Sequence, residues 1–524
     1  MSETHSSSEQ QPQHDASNES SLLKSSGVTG SMTMVSRVLG LARDVVIARV
    51  FGVSEGTDAF FLANKIPNFM RRLFAEGAFN QAFVPVLSEY RSTRSHAEVQ
   101  TLINAVAGSL GGFLLLVTVI AVLAAPLIAV PLSFGSVNYA LLVEMLRITF
   151  PYLLLISMTA LCGAILNSYS RFAVPAITPA LLNISLIGCS FLLVPYMRVP
   201  ELALAWGVLI AGVAQLFFQL PFLARMRLMP VPKVGKVHEG VAQIKKLMVP
   251  ALFGVSVSQI NLLFDTFIAS LLVTGSVGWL YFSDRLMELP LGTFGIAIAI
   301  VVLPSLSRKH AQESLEEFSE TLDWAFRLVV LIAIPAALAL IVIAEPLLVT
   351  LFQNDNFQER DVVNAAGSLK AYALGLIAFM AIKIFAPGFY ARQNTSTPVK
   401  IGIVAMASNM VMNLVFFLGG MAHVGLALAT SLAAFLNAGL LLRGLQAEGV
   451  FRFQPGWGVF LLRALLANGL MVYFLLSFSG DWQDWLVWSI TDKVVQLAML
   501  VLGGVFIYVA VLYAAGLRWR HIYR

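Results

Sequence analysis

Four cations stand inside apolar stretches of this chain: Arg37 and Arg43 in the first, Arg285 and Lys383 in later ones. A charge at the centre of a bilayer costs about 3 kcal/mol or more, so it is kept mainly where it faces a wet cavity or an anion. Four such costs of one sign predict a pathway for something negative. Guanidinium suits phosphate in particular, because its planar donors bind two oxygens at once.

Spacing refines the groups. Arg37 and Asp44 are seven apart and share a helix face, whereas Arg43 points away by about 120°. Either at least one arginine faces a cavity anion, or Arg43 pairs with Asp44 or another acid and Arg37 snorkels to the membrane surface. Asp284, Arg285 and Glu288 share one helical patch. It reads as a self-neutralising cluster, or as Arg285 on an anion with carboxylates that steady it or take a cation. Lys383 lies in Ile382-Lys383-Ile384-Phe385-Ala386-Pro387-Gly388, where Pro387 and Gly388 are expected to kink or break the helix and free backbone groups toward a polar cavity. Asp58 and Glu76 flank a second segment expected to break near Pro67. Arg71 and Arg72 meet lipid headgroups or the cavity mouth, and Arg147, Arg327 and Lys370, near predicted helix ends, read as snorkelling residues before functional ones. No metal-ligand spacing appears among the seven His and two Cys. No phosphate-cradling Gly-rich loop ends in Lys-Ser or Lys-Thr, so neither a cofactor nor direct ATP use is expected.

The elements that must carry these residues are membrane helices. Of 524 residues 58% are hydrophobic and 12% charged, with mean hydropathy +0.80, which excludes an ordinary soluble domain. The apolar runs are continuous, so a membrane barrel of short alternating strands is excluded as well. Runs separated by turn residues predict an all-α polytopic protein of about 14 helices. Loops rich in Lys and Arg alternate with loops nearly free of them. The positive-inside rule then places both termini in the cytoplasm and accounts for the net charge of +5 without nucleic acid. Residues 1–21 read as a polar, disordered cytoplasmic tail. Cys162 and Cys189 fall in apolar segments and are expected as buried thiols, not a disulfide.

A repeat organises the helices. Asn64-Lys65-Ile66-Pro67-Asn68 matches Asp284-Arg285-Leu286-Met287-Glu288, so Lys65 and Asn68 take the repeat positions of Arg285 and Glu288. Asp44 matches Asp265, Val84-Pro85 matches Leu303-Pro304, and Tyr169-Ser-Arg171 matches Tyr390-Ala-Arg392, all at nearly one offset. An even number of helices per repeat makes the halves parallel, about an axis along the membrane normal. The expected divisions are an N-lobe of six helices (22–228), a cytoplasmic linker (229–240), a second six-helix lobe (241–448) and a helix pair (449–524). Two bundles about a cleft are the usual hardware of alternating access.

Several motifs also carry a family resemblance: the stretch Ser31 to Asp44, Thr57-Asp-Ala-Phe-Phe61, Pro67-Asn68 with Arg71-Arg72 through Phe79, Asp284-Arg-Leu-Met-Glu288 and Ala386-Pro-Gly-Phe-Tyr390. From about Leu22 onward the chain resembles the MurJ (MviN) family, the bacterial lipid II flippases of the multidrug/oligosaccharidyl-lipid/polysaccharide exporter superfamily. The resemblance implies about 14 helices in two lobes, a central cationic cavity and a groove on the last helix pair for a lipid tail. It also implies importance for Arg37, Arg43, Asp58, Arg285 and Lys383. The expected cargo is a polyprenyl-diphosphate-linked peptidoglycan precursor, moved across the inner membrane by a monomer among membrane lipids, with cell-wall synthesis or division proteins as partners. Membrane potential or a cation at Asp284, Glu288 or Asp58 would couple the movement. A cation-coupled multidrug exporter is the alternative, and it would want acidic rather than basic cavity residues.

Overall fold

A computed structural model of the chain describes residues 32, 34–72, 79–135, 137–233 and 238–517. Glu76, the tail 1–21 and part of the linker lie outside them. The described residues are helical, with no strand among them. In chain order the helices are α1 (34–51), α2 (Glu55–Arg71), α3 (Phe79–Thr93), α4 (His96–Leu132), α5 (Tyr139–Thr149), α6 (Pro151–Ser168), α7 (Ala173–Leu192) and α8 (Leu202–Arg225). Next come α9 (Glu239–Ser270), α10 (Ser276–Pro290), α11 (Ile296–Ala311), α12 (Leu315–Val342), α13 (Ala344–Phe352) and α14 (Glu359–Tyr390). The last are α15 (Ser396–Leu418), α16 (Ala422–Ala447), α17 (Trp457–Ser479), the short α18 (Trp482–Val487) and α19 (Ile490–Ala514).

Ten of the expected spans are, among the described residues, long and apolar enough to cross a bilayer. The other four are α1, α2 with α3, α9, and α10 with α11. These are the first two helices of each expected repeat, and they hold Arg37, Arg43, Asp44, Asp58, Lys65, Arg71, Asp284, Arg285 and Glu288, whereas Arg147, Arg327, Lys370 and Lys383 lie on other helices. Two expectations about breaks change. Pro67 lies inside α2, which continues to Arg71. Pro387 and Gly388 lie inside the last turn of α14, which ends only after Tyr390. A proline removes one helical hydrogen bond without ending the helix when neighbouring helices hold it in place. At Pro387 the missing donor is the one that would reach the carbonyl of Lys383. The sharp interruption falls instead between α10 and α11, where Leu291–Gly295 forms a π-turn directly after Pro290.

The contacts divide the chain into two compact units. The first comprises residues up to 46, 67–125 and 144–255; the second comprises 47–66, 126–143 and 256 onward. The core of the first unit is built from Phe83 and Leu87 of α3, Leu102 of α4 and Ile165 of α6, joined by Val241 and Ile244 of α9. Burial of such side chains is worth about 1.5–3 kcal/mol each in water, and in the membrane part dispersion and close fit take over that role. The linker is fastened here too. Gln100, Asn104 and Gly108 recur every four residues along α4. The Gln100 amide donates to the Met229 carbonyl at 2.7 Å, and Asn104 Oδ1 accepts from the Val231 N–H at 2.9 Å. A Cβ at Gly108 would overlap the Lys233 backbone. Cys162 and Cys189 are free and buried.

The second unit packs around α14, whose closest neighbour is α16. Side-chain-free Gly375 leaves room for Ser431, whose hydroxyl donates to the Ala371 carbonyl at 2.7 Å. The C-terminal pair α17 and α19 is tied to this unit at several points. Tyr508 donates to the Leu331 carbonyl at 2.8 Å, and Lys493 Nζ to Gln353 Oε1 at 2.8 Å. Asp323, only 2% exposed, accepts from the Trp457 indole at 2.7 Å and pairs with Arg327 at 2.8 Å. Arg327 stacks on Trp457 and donates to the Gln454 and Pro455 carbonyls. It is therefore an anchor for α17 and not a snorkelling residue. Replacing Asp323 with leucine will strand Arg327 and destabilise the protein by about 3 kcal/mol. A lower melting temperature with α17 newly open to protease would register it.

Candidate functional site

In the first unit, α1 carries Arg37, Arg43 and Asp44. Of the two arrangements that spacing left open for Arg43, the structure has the ion pair. Its Nη2 and Nε both donate to Asp44 Oδ1, at 2.7 and 2.9 Å, and Asp44 is 2% exposed. The guanidinium is held on its other side as well: Nη1 donates to Asn183 Oδ1 of α7 at 3.0 Å. Arg37 is half-buried and, among the described residues, has no ion-pair or hydrogen-bond partner. At the other end of the unit's share of α2, Arg71 Nε donates to Asn68 Oδ1 at 3.2 Å, and Arg72 is exposed.

The second unit contains Asp58, Lys65, Asp284, Arg285, Glu288 and Lys383. Arg285 bonds Glu288 at 2.8 Å and lies 5.1 Å from the centre of the Tyr281 ring, which stacks on Phe61 of α2 at 4.0 Å. The patch expected on α10 thus exists, and it reaches α2 through an aromatic pair. Arg285 and Glu288 are both well exposed, so a partner in water or a headgroup can compete for the guanidinium. Lys383 is exposed on α14, and among the described residues nothing pairs with it. An ammonium in an apolar stretch of a helix, with no described partner, is a charge left for a ligand or water to compensate.

Asp58 has a different task. The helix α10 begins after Gly275, which is left-handed at φ 96° and has no side chain with which to cap it. The carboxylate of Asp58 supplies the cap from α2. Its Oδ2 accepts from the Gly275 N–H at 2.7 Å and its Oδ1 from the Gly278 N–H at 2.8 Å. Negative charge at a helix N-terminus also meets the positive end of the helix dipole. The C-terminus of α1 is capped in the opposite sense. The Arg49 carbonyl accepts from the amides of Asn354 and Asn356, at 2.6 and 3.0 Å, and the Val50 carbonyl from Asn356 at 3.1 Å. Gly52, at φ 65°, passes so close to the Asn356 carbonyl that no Cβ fits.

One polar cluster escaped the reading of the sequence. Asp265 of α9 accepts from Asn413 of α15 at 2.5 Å and from Asn261 at 3.3 Å. Asn409 lies beside them: with its amide turned, its nitrogen reaches Asn261 and Asp265, both at 3.0 Å, and its oxygen the Thr430 N–H at 3.2 Å. Lys65 is within electrostatic range of Asp265, as Asp284 is of the partly buried Tyr372. Asn183 was missed likewise. The available signals were the repeat offset, which pairs Asp265 with Asp44, and asparagines recurring within apolar helices.

These features define a class. A bundle of apolar helices that carries cations and buried acids on several of its spans is the build of a polytopic membrane transporter. The comparisons give the particular family. The model of the family "Lipid II flippase MurJ" matches residues 47–496. A protein of Vibrio cholerae named probable lipid II flippase MurJ is 48% identical over 96% of this chain and 97% of its own. Its namesake in Haemophilus influenzae is 45% identical over 94% and 99%. A solved structure titled lipid II flippase MurJ, inward closed conformation, superimposes with TM-score 0.77 at 27% identity, over 92% of this chain and 97% of that one. An inward-facing multidrug MATE transporter shares the fold alone, at TM-score 0.67 and 14% identity over 81% and 98%. The chain belongs to the lipid II flippase MurJ family and is a multi-pass inner-membrane protein.

Proposed function

We infer that the protein moves lipid II, the polyprenyl-diphosphate-linked peptidoglycan precursor, from the cytoplasmic to the periplasmic leaflet by alternating access, for cell-wall synthesis. Both termini face the cytoplasm, as the distribution of Lys and Arg among the loops supports. The diphosphate binds Arg37, Arg285 and Lys383, with Arg43 contributing from its ion pair, while the polyprenyl tail stays in lipid along the last helix pair. The single observation that carries this reading beyond family membership is Lys383. It is an exposed cation in an apolar helix whose charge no described residue cancels. An anionic headgroup would cancel it.

Direction comes from the membrane potential. Negative inside, it favours outward movement of anionic cargo by about 2.3 kcal/mol per charge per 100 mV. Of the acids considered for a coupling cation, Asp58 gives both oxygens to backbone N–H groups and Glu288 pairs with Arg285. Both are therefore poorer candidates than the potential itself. The multidrug alternative loses support for the same reason, since its cationic drugs would need acids that are not already engaged.

The test is rescue of a strain depleted of its own flippase. Lys383→Ala is expected to lower lipid II exposure on the periplasmic face at least about tenfold, and Lys383→Arg to retain most of it, since loss of a charge-assisted contact costs about 1.5–3 kcal/mol. Full translocation by the Arg285→Ala/Lys383→Ala double variant, at equal membrane abundance, would sink the diphosphate site.

A further inference from the structure

Asn183 stands in the middle of α7, 5% exposed, and uses both ends of its amide on α1. Its oxygen accepts from Arg43 at 3.0 Å, and its nitrogen donates to the backbone carbonyl of Ser36 at 3.0 Å. Ser36, Gly40 and Arg43 follow at helical spacing, so they share the face of α1 turned to α7. Gly40 lies on that face too, where a Cβ would make only ordinary contact, 3.8 Å from the Asn183 amide nitrogen. One side chain therefore grips α1 at two points about two turns apart. Two hydrogen bonds on one face resist rolling and sliding of this part of α1 against α7, and the backbone they hold carries Arg37, next to Ser36, as well as Arg43.

The second unit has a joint of the same kind. Asp265, the repeat partner of Asp44, is met by the amide of Asn413 at 2.5 Å. There too an acid on the first helix of the repeat, half-buried in this case, is joined to an asparagine on the fifth. In the first unit the arginine stands between acid and amide, so the joint includes a cation of the anion pathway.

We propose that Asn183 is a positioning residue of the headgroup site, holding Arg43 and the adjacent turn of α1 in the orientation that receives the diphosphate. The proposal rests on the assignment of Arg37 and Arg43 to that site. An amide supplies both the acceptor and the donor that the position uses. Aspartate keeps the acceptor for Arg43 but turns an oxygen toward the Ser36 carbonyl, and leucine loses both bonds at nearly constant volume.

A double-mutant cycle tests it, with lipid II binding measured on the full-length protein in nanodiscs. Asn183→Leu is expected to weaken binding about three- to tenfold, the range of a hydrogen bond within a membrane bundle. In an Arg43→Ala background it is expected to add a smaller loss, because only the bond to the Ser36 carbonyl is left for it to act through. Asn183→Asp should fall between wild type and Asn183→Leu. An equal loss in both backgrounds, or none in the wild type while Arg43→Ala does weaken binding, overturns the positioning role. If neither Arg37→Ala nor Arg43→Ala weakens binding, the cationic site itself is wrong and the role of Asn183 falls with it.

Discussion

Replacing Asp58 with alanine will abolish rescue of a flippase-depleted strain and lower the melting temperature of the purified protein. The carboxylate is 1% exposed, and each oxygen takes a different backbone N–H of α10. Losing a helix cap costs about 0.5–2 kcal/mol, and each buried donor left without a partner costs a further 1–3 kcal/mol, roughly. Gly275 at the start of α10 has no side chain of its own to substitute, and a Cβ there would crowd Trp279 and Val53. Asp58→Asn separates size from chemistry: it keeps one acceptor and turns an NH2 against the second N–H. It should therefore retain part of the stability and little of the activity. Wild-type translocation by Asp58→Ala would show that the cap is incidental.

The second large effect is expected at Gly52. Exchange for valine forces a β-branched residue into the left-handed region, where even an unbranched side chain costs about 1–2 kcal/mol. It also drives a Cβ into the Asn356 carbonyl. Backbone cannot yield as a side chain can, so the last turn of α1 must separate from the 353–358 loop. The outcome should be loss of translocation and a melting temperature several degrees lower. Asn356→Ala supplies the comparison. It removes the two side-chain hydrogen bonds at 3.0 and 3.1 Å but introduces no overlap, so its effect should be the smaller. If Gly52→Val were no worse than Asn356→Ala, close backbone approach would not be what glycine provides there.

These two sites show how far the sequence could be read. Asp58 was visible as an acid where an apolar helix should have none, and as part of Thr57-Asp-Ala-Phe-Phe61. Nothing in the local sequence says that its partners are two glycine N–H groups more than two hundred residues away. Gly52 and Asn356 carry no local signal at all. The joint between them is a property of two chain segments brought side by side, and glycine is common at the ends of helices for ordinary reasons.

Local chemistry settled the rest. Continuous apolar runs have one low-energy solution in a bilayer, in which the backbone satisfies itself, so the all-helical class followed from composition and pattern. The repeat offset and the motifs at Asp284–Glu288 and Ala386–Tyr390 led to the family because both are linear in the chain. A charge in an apolar segment is likewise legible from position alone, since any such charge calls for a partner, an anion or a wet cavity. What it touches decides what it does. Tertiary structure made Arg43 a strut between Asp44 and Asn183, Arg327 an anchor for α17 and Asp58 a helix cap, while Lys383 was left exposed with no described partner. Pairing of that kind is fixed by distances of about 3 Å between helices far apart in the chain, which no spacing along it encodes.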